Sequence, residues 1–242
     1  MAQKIVVASG KGGVGKSTCV VALALAFKNL GKKVLMIDFD ISLPSLDLIF
    51  GVADRVVNNW GDIILERCEK DDALIEKDGV SLLCAPQKMN ERFSLEKVRD
   101  FVLSFDKDFD YILIDSPAGV GTFFEYAVKC ADRALIVSTA QDVCVRSAAE
   151  AAARIRYFGV GDIRLIINKL VIRLSAGKKN LNIDAVIDET HVQLIGVVPF
   201  DENISLVSMT KNEFSLNKKP QRCFDRIARR ICGENVRLKF LR

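Results

Sequence analysis

Residues Gly10 to Ser17 read Gly-Lys-Gly-Gly-Val-Gly-Lys-Ser, the spacing G-x-x-x-x-G-K-[ST]. That spacing suits one kind of chemistry, the holding of phosphate. Glycines let a loop fold tightly enough for successive backbone N–H groups to converge on phosphate oxygens. A helix beginning at the end of the loop adds the partial positive charge of its N-terminus. In such a loop Lys16 bridges the β- and γ-phosphates of a nucleotide, and the Ser17 hydroxyl ligates Mg2+. The candidate cradle is Gly10, Lys11, Gly12, Gly13, Val14, Gly15, Lys16, Ser17 and Thr18. Lys11 is one lysine more than the pattern needs.

Acids at the ends of apolar runs are the natural complement to that loop. Val34–Ile37 is followed by Asp38-Phe39-Asp40, and strand alternation would put Asp38 and Asp40 on the same side of the chain. A carboxylate there holds a Mg2+-bound water or orients the attacking water. The plainer alternative is a pair of loop acids capping the next helix. Tyr111–Ile114 likewise ends in Asp115, a candidate Mg2+-site acid.

These residues need a scaffold, and the hydrophobic pattern supplies one. Ile5–Ala8, Val34–Ile37, Tyr111–Ile114, Ala134–Val137, Leu165–Ile167 and Leu194–Val198 are continuous apolar runs. Continuous apolarity is expected of strands covered on both faces of a parallel sheet. Longer amphipathic stretches separate them: Lys16–Asn29, Leu95–Ser104, Val143–Tyr157 and Pro220–Ile231 read as helices, with Gly31 and Gly159 at helix ends. The rhythm predicts an α/β fold with a doubly wound, mostly parallel sheet. With 242 residues and no repeat or linker-like tract, one domain over residues 1–233 is expected, followed by a short basic-apolar tail at 234–242. Arg173–Asn182 is polar and reads as an exposed loop.

Composition removes several classes. Half of the residues are apolar and 27% are charged, which does not describe a disordered chain. The seven cysteines are odd in number and form no Cys-x-x-Cys pair, arguing against a disulfide framework or a zinc site. Most sit in apolar runs and read as small core residues. The N-terminus lacks the features of a signal peptide, and Cys19–Phe27 is far shorter than the roughly 20 residues that cross a bilayer. A cytoplasmic protein is expected, able to lie on a membrane without spanning it.

The run Lys-Gly-Gly-Val-Gly-Lys-Ser-Thr (Lys11–Thr18) resembles the deviant Walker A (SIMIBI) class of P-loop ATPases, the ParA/MinD family. The likeness extends from Ile5 to about Arg230, and Ile37–Val52, Asp115–Gly119 and Val145-Arg146 are most similar to its MinD branch. The resemblance implies an ATPase that uses ATP and Mg2+, turns over slowly, and dimerises on ATP. Lys11 is then the lysine that reaches the partner subunit's nucleotide. Asp40 positions the catalytic water and joins Ser17, Asp38 and Asp115 at the metal site, which Asp38 supports, and the Gly119 amide senses the γ-phosphate. Asn168 recognises adenine, although it also suits a strand-end turn, and Pro199-Phe200-Asp201 closes over the base. The role implied is placement of the bacterial division septum, with a MinC-like inhibitor, a MinE-like activator and reversible attachment to the inner face of the cell membrane.

Rival readings remain within and beyond that branch. They are a ParA-like ATPase that partitions chromosomes or plasmids on DNA, an FlhG-like regulator of flagellar number, and a scaffold that dimerises on ATP without hydrolysis. Nucleic acid is the less favoured partner. From Val207 to Arg242 there are ten Lys or Arg and three Asp or Glu, a net of +7 that leaves −3 for the rest of a chain whose total is +4. That asymmetry suits an anionic partner. Within Pro220–Ile231, Cys223, Phe224, Ile227 and Ile231 form a stripe, and Arg222, Arg226, Arg229 and Arg230 lie off it. The stripe predicts a final helix packed on the sheet with its arginines in water. In the last seven residues, apolar positions 236, 238 and 240 alternate at strand period, so any membrane anchor there is short and weak.

Overall fold

The structure is a computed structural model that describes residues 1–88, 90–171, 183–202 and 214–238. The loop expected at Arg173–Asn182 and the last four residues of the expected tail lie outside the described residues.

An eight-stranded sheet runs through the molecule in the order β3-β4-β2-β5-β1-β6-β7-β8. Its strands are β1 (Gln3–Ala8), β2 (Val34–Asp38), β3 (Ile75–Lys77), β4 (Val80–Leu83), β5 (Tyr111–Asp115), β6 (Arg133–Ser138), β7 (Ile163–Leu170) and β8 (Gln193–Pro199). All pairs are parallel except β3 with β4. The six expected strands are present. The β3–β4 hairpin was not anticipated. Its turn is Asp78-Gly79, both with positive φ (51° and 72°), the backbone that Asp-Gly favours in two-residue hairpins.

Successive residues in the parallel strands serve different layers. In β1, Ile5 and Val7 join one apolar cluster, whereas Val6 and Ala8 join the other. The first cluster is covered by α1 (Lys16–Asn29), α2 (Leu46–Phe50) and α9 (Lys218–Ile231). The second takes α3 (Trp60–Ile64), α4 (Lys70–Ala73), α5 (Leu95–Leu103), α6 (Thr122–Lys129), α7 (Asp142–Tyr157) and α8 (Ile183–Thr190). This is the two-sided burial that the continuous apolar runs predict. Gly31, Gly159 and Gly233 follow α1, α7 and α9 with φ of 75°, 95° and 90°.

The final helix packs as expected, burying Cys223, Phe224, Ile227 and Ile231 against α1 and β8. The expectation that all its arginines lie in water is corrected at Arg230. Its guanidinium donates to the Ile195 carbonyl at 2.8 Å and to the Val236 and Arg237 carbonyls at 2.8 and 2.7 Å. Those bonds tie β8 to residues that follow the helix, where Glu234–Leu238 form no regular structure. Among the described residues no helix is long and apolar enough to cross a membrane. All seven cysteines are free, and five of them are buried.

Candidate functional site

The candidate residues gather at the carboxyl ends of β1, β2, β5 and β7, where ligands bind in open parallel sheets. Residues Ser9 to Gly15 link β1 to α1. Ser9 Oγ donates to the Lys11 carbonyl at 3.0 Å and turns the chain out of the strand. A Cβ at Gly10 would lie 1.9 Å from the Ser147 carbonyl oxygen, so only glycine lets α7 pack against the loop. Gly15, with φ of 89°, precedes α1, which begins at Lys16. Lys11, Gly12 and Gly13 are exposed at the outer edge of the loop.

Two strand-end acids stand level with one another, because Asp38 of β2 pairs in register with Asp115 of β5. Lys16 Nζ lies 2.5 Å from Asp115 Oδ1 and 3.5 Å from Ser17 Oγ. Asp115 Oδ2 is buried and makes no hydrogen bond among the described residues. Burial raises the Asp115 pKa above the ordinary carboxylate value, while the charge and hydrogen bond of Lys16 oppose that shift. The lysine that a phosphate would recruit is thus held by a buried acid.

The pairing of Asp38 with Asp40 differs from the alternation argument. β2 ends at Asp38, so Asp40 lies in the loop, where strand period no longer applies. Asp38 Oδ1 accepts the Asp40 N–H at 2.9 Å, and Oδ2 accepts the Ser45 and Leu46 N–H groups at 3.0 and 3.1 Å. The carboxylate therefore caps the start of α2, the plainer role allowed by the sequence. Burial and then the Asp115 charge push its pKa up to about 7 against those three hydrogen bonds. Asp40 is partly exposed, and its Oδ1 accepts the Leu43 N–H at 3.1 Å.

Asn168 is buried on β7, and its Nδ2 donates to the Val14 carbonyl at 2.9 Å. Next to it, Lys169 Nζ donates to the Gly13 carbonyl at 2.7 Å. Pro199 ends β8 opposite Leu170, and the Phe200 N–H donates to the Leu170 carbonyl at 3.0 Å. Phe200 is 46% exposed. Asp201 turns the other way: its carboxylate accepts from the Asn217 backbone and side-chain amides at 2.9 and 2.6 Å, fastening the approach to α9. Gly119 lies beyond β5 with φ of 86° and open space beside it.

Two neighbours of the loop escaped the sequence reading. Ser45 Oγ donates to Ser17 Oγ at 3.0 Å, and Lys169 holds Gly13. Ser45 lies within the Ile37–Val52 run but was not singled out there, Lys169 belongs to no motif, and both contacts arise only on folding. The oxygen set of Ser17, Asp38 and Asp115 is hard, as Mg2+ prefers. The orphaned Asp115 Oδ2 also leaves acceptor capacity at the base of the loop. Among the described residues no cluster of three or more His, Cys, Asp or Glu side chains could hold a metal ion. A cation that shares its shell with phosphate and water fits this site better than a caged one.

Comparison with known proteins agrees with this geometry. The family model described as ParA, NUBPL iron-transfer P-loop NTPase, matches residues 1–233. The septum site-determining protein MinD of Synechocystis is 35% identical over 240 residues, covering 96% of this chain and 90% of that protein. MinD in the MinC:MinD cell division protein complex of Aquifex aeolicus superposes with a TM-score of 0.85 at 30% identity, over 99% of both chains. The Pyrococcus horikoshii MinD complexed with Mg-ADP has a TM-score of 0.82 and 24% identity over 96% of each chain, a likeness of fold. With a phosphate loop in this setting and relatives matched nearly end to end, the chain belongs to the MinD branch of the ParA family of P-loop NTPases.

Proposed function

We propose that this protein is an ATP-hydrolysing switch that dimerises on ATP and helps to place the division septum. The observation that carries the reading is Lys16 meeting Asp115 and Ser17 at the mouth of the phosphate loop. On ATP binding Lys16 exchanges the Asp115 carboxylate for the β- and γ-phosphates, drawn by their greater charge. Ser17, supported by Asp38 and Asp115, would hold Mg2+, and the ion would supply positive charge beside the phosphate oxygens. Asp40, at the partly open edge, orients the attacking water. Exposed Lys11 reaches the partner subunit's nucleotide, and the Gly119 amide meets the γ-phosphate. Asn168 and the Pro199–Phe200 turn stand on the base side; Asp201 supports that turn through Asn217.

Residues 1–233 form the ATPase domain in this reading, and 234–242 form a tail that meets the inner face of the membrane. Two tails in a dimer multiply a weak attachment, provided that both reach the surface. A MinC-like inhibitor and a MinE-like activator are the protein partners. The Aquifex relative was solved as a MinC:MinD complex, which supports the former. Iron transfer, named by the family model, is less well supported: the chain has no Cys-x-x-Cys and buries most of its cysteines.

Co-sedimentation with phosphatidylglycerol vesicles tests the reading, run with ATP, with ADP and after deletion of the last seven residues, beside a DNA-binding assay. Pelleting that needs ATP and the tail, without DNA binding, is the expected result. ATP-dependent binding to DNA alone, falling steeply with salt, would replace it with a partitioning role.

A further inference from the structure

The end of β7 carries a distortion that the six-strand pattern does not require. Lys169 has a φ of 55°, the left-handed backbone that a lysine rarely adopts. The β7–β8 pairing slips once before it, between Leu165 and Ile166, and again across it, between Ile167 and Leu170. In a regular strand, consecutive side chains point to opposite faces, so Asn168 and Lys169 could not both reach one loop. Here they do: Asn168 Nδ2 takes the Val14 carbonyl at 2.9 Å, and Lys169 Nζ takes the Gly13 carbonyl at 2.7 Å. Bulges beside functional sites re-aim side chains in this manner.

The two carbonyls lie within the phosphate loop. A loop that binds phosphate must turn its N–H groups toward the ligand and its carbonyls away, because a carbonyl facing an anion repels it. Gly13 and Gly15 take left-handed backbone at φ of 80° and 89° around these carbonyls. The fit is close, since a Cβ on Gly15 would meet Asn168 Nδ2 at 2.5 Å. Two adjacent donors on one strand therefore hold two adjacent carbonyls outward. The ammonium of Lys169 also adds a positive charge beside a loop built for an anion.

We infer that Lys169 is a nucleotide-positioning residue, aimed by the β7 bulge to hold the phosphate loop in its binding shape before nucleotide arrives. It acts through the loop and takes no part in the chemical step. Its effect therefore falls on the affinity for ATP and ADP alike, because both place phosphates in the same loop. The inference rests on the reading of Gly10–Thr18 as the nucleotide loop.

The test compares Lys169→Met, which removes the charge and the donor at similar length, with Lys169→Arg, which restores both, and with Lys16→Ala as control. Binding of ATP and ADP is measured by titration calorimetry, turnover at saturating ATP by phosphate release, and the melting temperature without nucleotide. Lys169 is exposed, so the methionine variant is expected to melt with the parent. The expected result is affinity for both nucleotides lowered about tenfold or more in Lys169→Met, the worth of one charge-assisted hydrogen bond. Saturated turnover stays within about twofold of the parent, and Lys169→Arg recovers most of the affinity. Affinity unchanged in Lys169→Met while Lys16→Ala abolishes binding would overturn the inference and leave the loop reading standing. Binding unchanged in Lys16→Ala would overturn both.

Discussion

Asp40 follows β2 and Lys11 follows β1, and the two should fail differently when replaced. Asp40 is partly exposed, and its carboxylate accepts the Leu43 N–H in its own loop, a contact away from the phosphate loop, so Asp40→Ala should leave nucleotide binding intact. Loss of a water-orienting carboxylate typically removes about 10²–10⁴ in rate. ATPase assays should show that fall while light scattering still records an ATP-dependent dimer. Lys11→Ala should still bind nucleotide but remain monomeric by the same measurement. The motif residues of this site were legible in the sequence because phosphate chemistry dictates them at fixed spacing. Ser45 and Lys169 were not. The first, just before α2, touches Ser17 in the first turn of α1, a contact made only when the two helix starts meet, and the second depends on a left-handed backbone that no local pattern encodes.

The elements around the site are held by a few specific contacts. Trp60 of α3 is fully buried, donates Nε1–H to the Asp38 carbonyl at 2.7 Å, and packs against Phe39, Phe93, Phe101 and Phe123. Trp60→Phe keeps an aromatic ring but orphans that carbonyl, costing about 1–3 kcal/mol in urea denaturation. Its effect should extend to nucleotide affinity, because the carbonyl belongs to a site acid. Gly10→Ala should be worse for function: its Cβ collides with the backbone of α7, so α7 or the loop must move. Calorimetry should show ATP binding lost or sharply weakened. Six of the strands in parallel pairing could be read from the sequence because both their faces are buried; β4, only four residues long and holding Ser81, could not. The short helices α2, α3 and α4 could not, since four or five residues make too little of a turn for periodicity to register. The β3–β4 hairpin interleaves Glu76, Lys77 and Ser81 with its apolar residues; only Asp78-Gly79 marked it.

Across the whole molecule, the sheet is fastened at both ends, and only one of them carries the nucleotide loop. The end away from the nucleotide loop is fastened by Lys4, whose buried ammonium meets Asp106 at 3.0 Å and Asp132 at 3.4 Å. Lys4→Met would strand the buried Asp106 carboxylate, a loss of roughly 3–5 kcal/mol measured by denaturation. Nucleotide affinity under native conditions should hardly change, because the lesion lies far from the loop. The strand that carries both Lys4 and the phosphate loop is also the one whose partners come latest. β1 pairs with β5 in the register Gln3↔Tyr111 and with β6 in the register Ile5↔Arg133. A ribosome adding about 5–20 residues per second keeps the first strand waiting roughly 5–20 s for its nearer neighbour. During that interval Ile5–Ala8 is an unpaired, uncharged strand able to stick to other chains. The nascent protein is thus most prone to aggregate before Asp115 emerges, and an early chaperone would be most useful in that window.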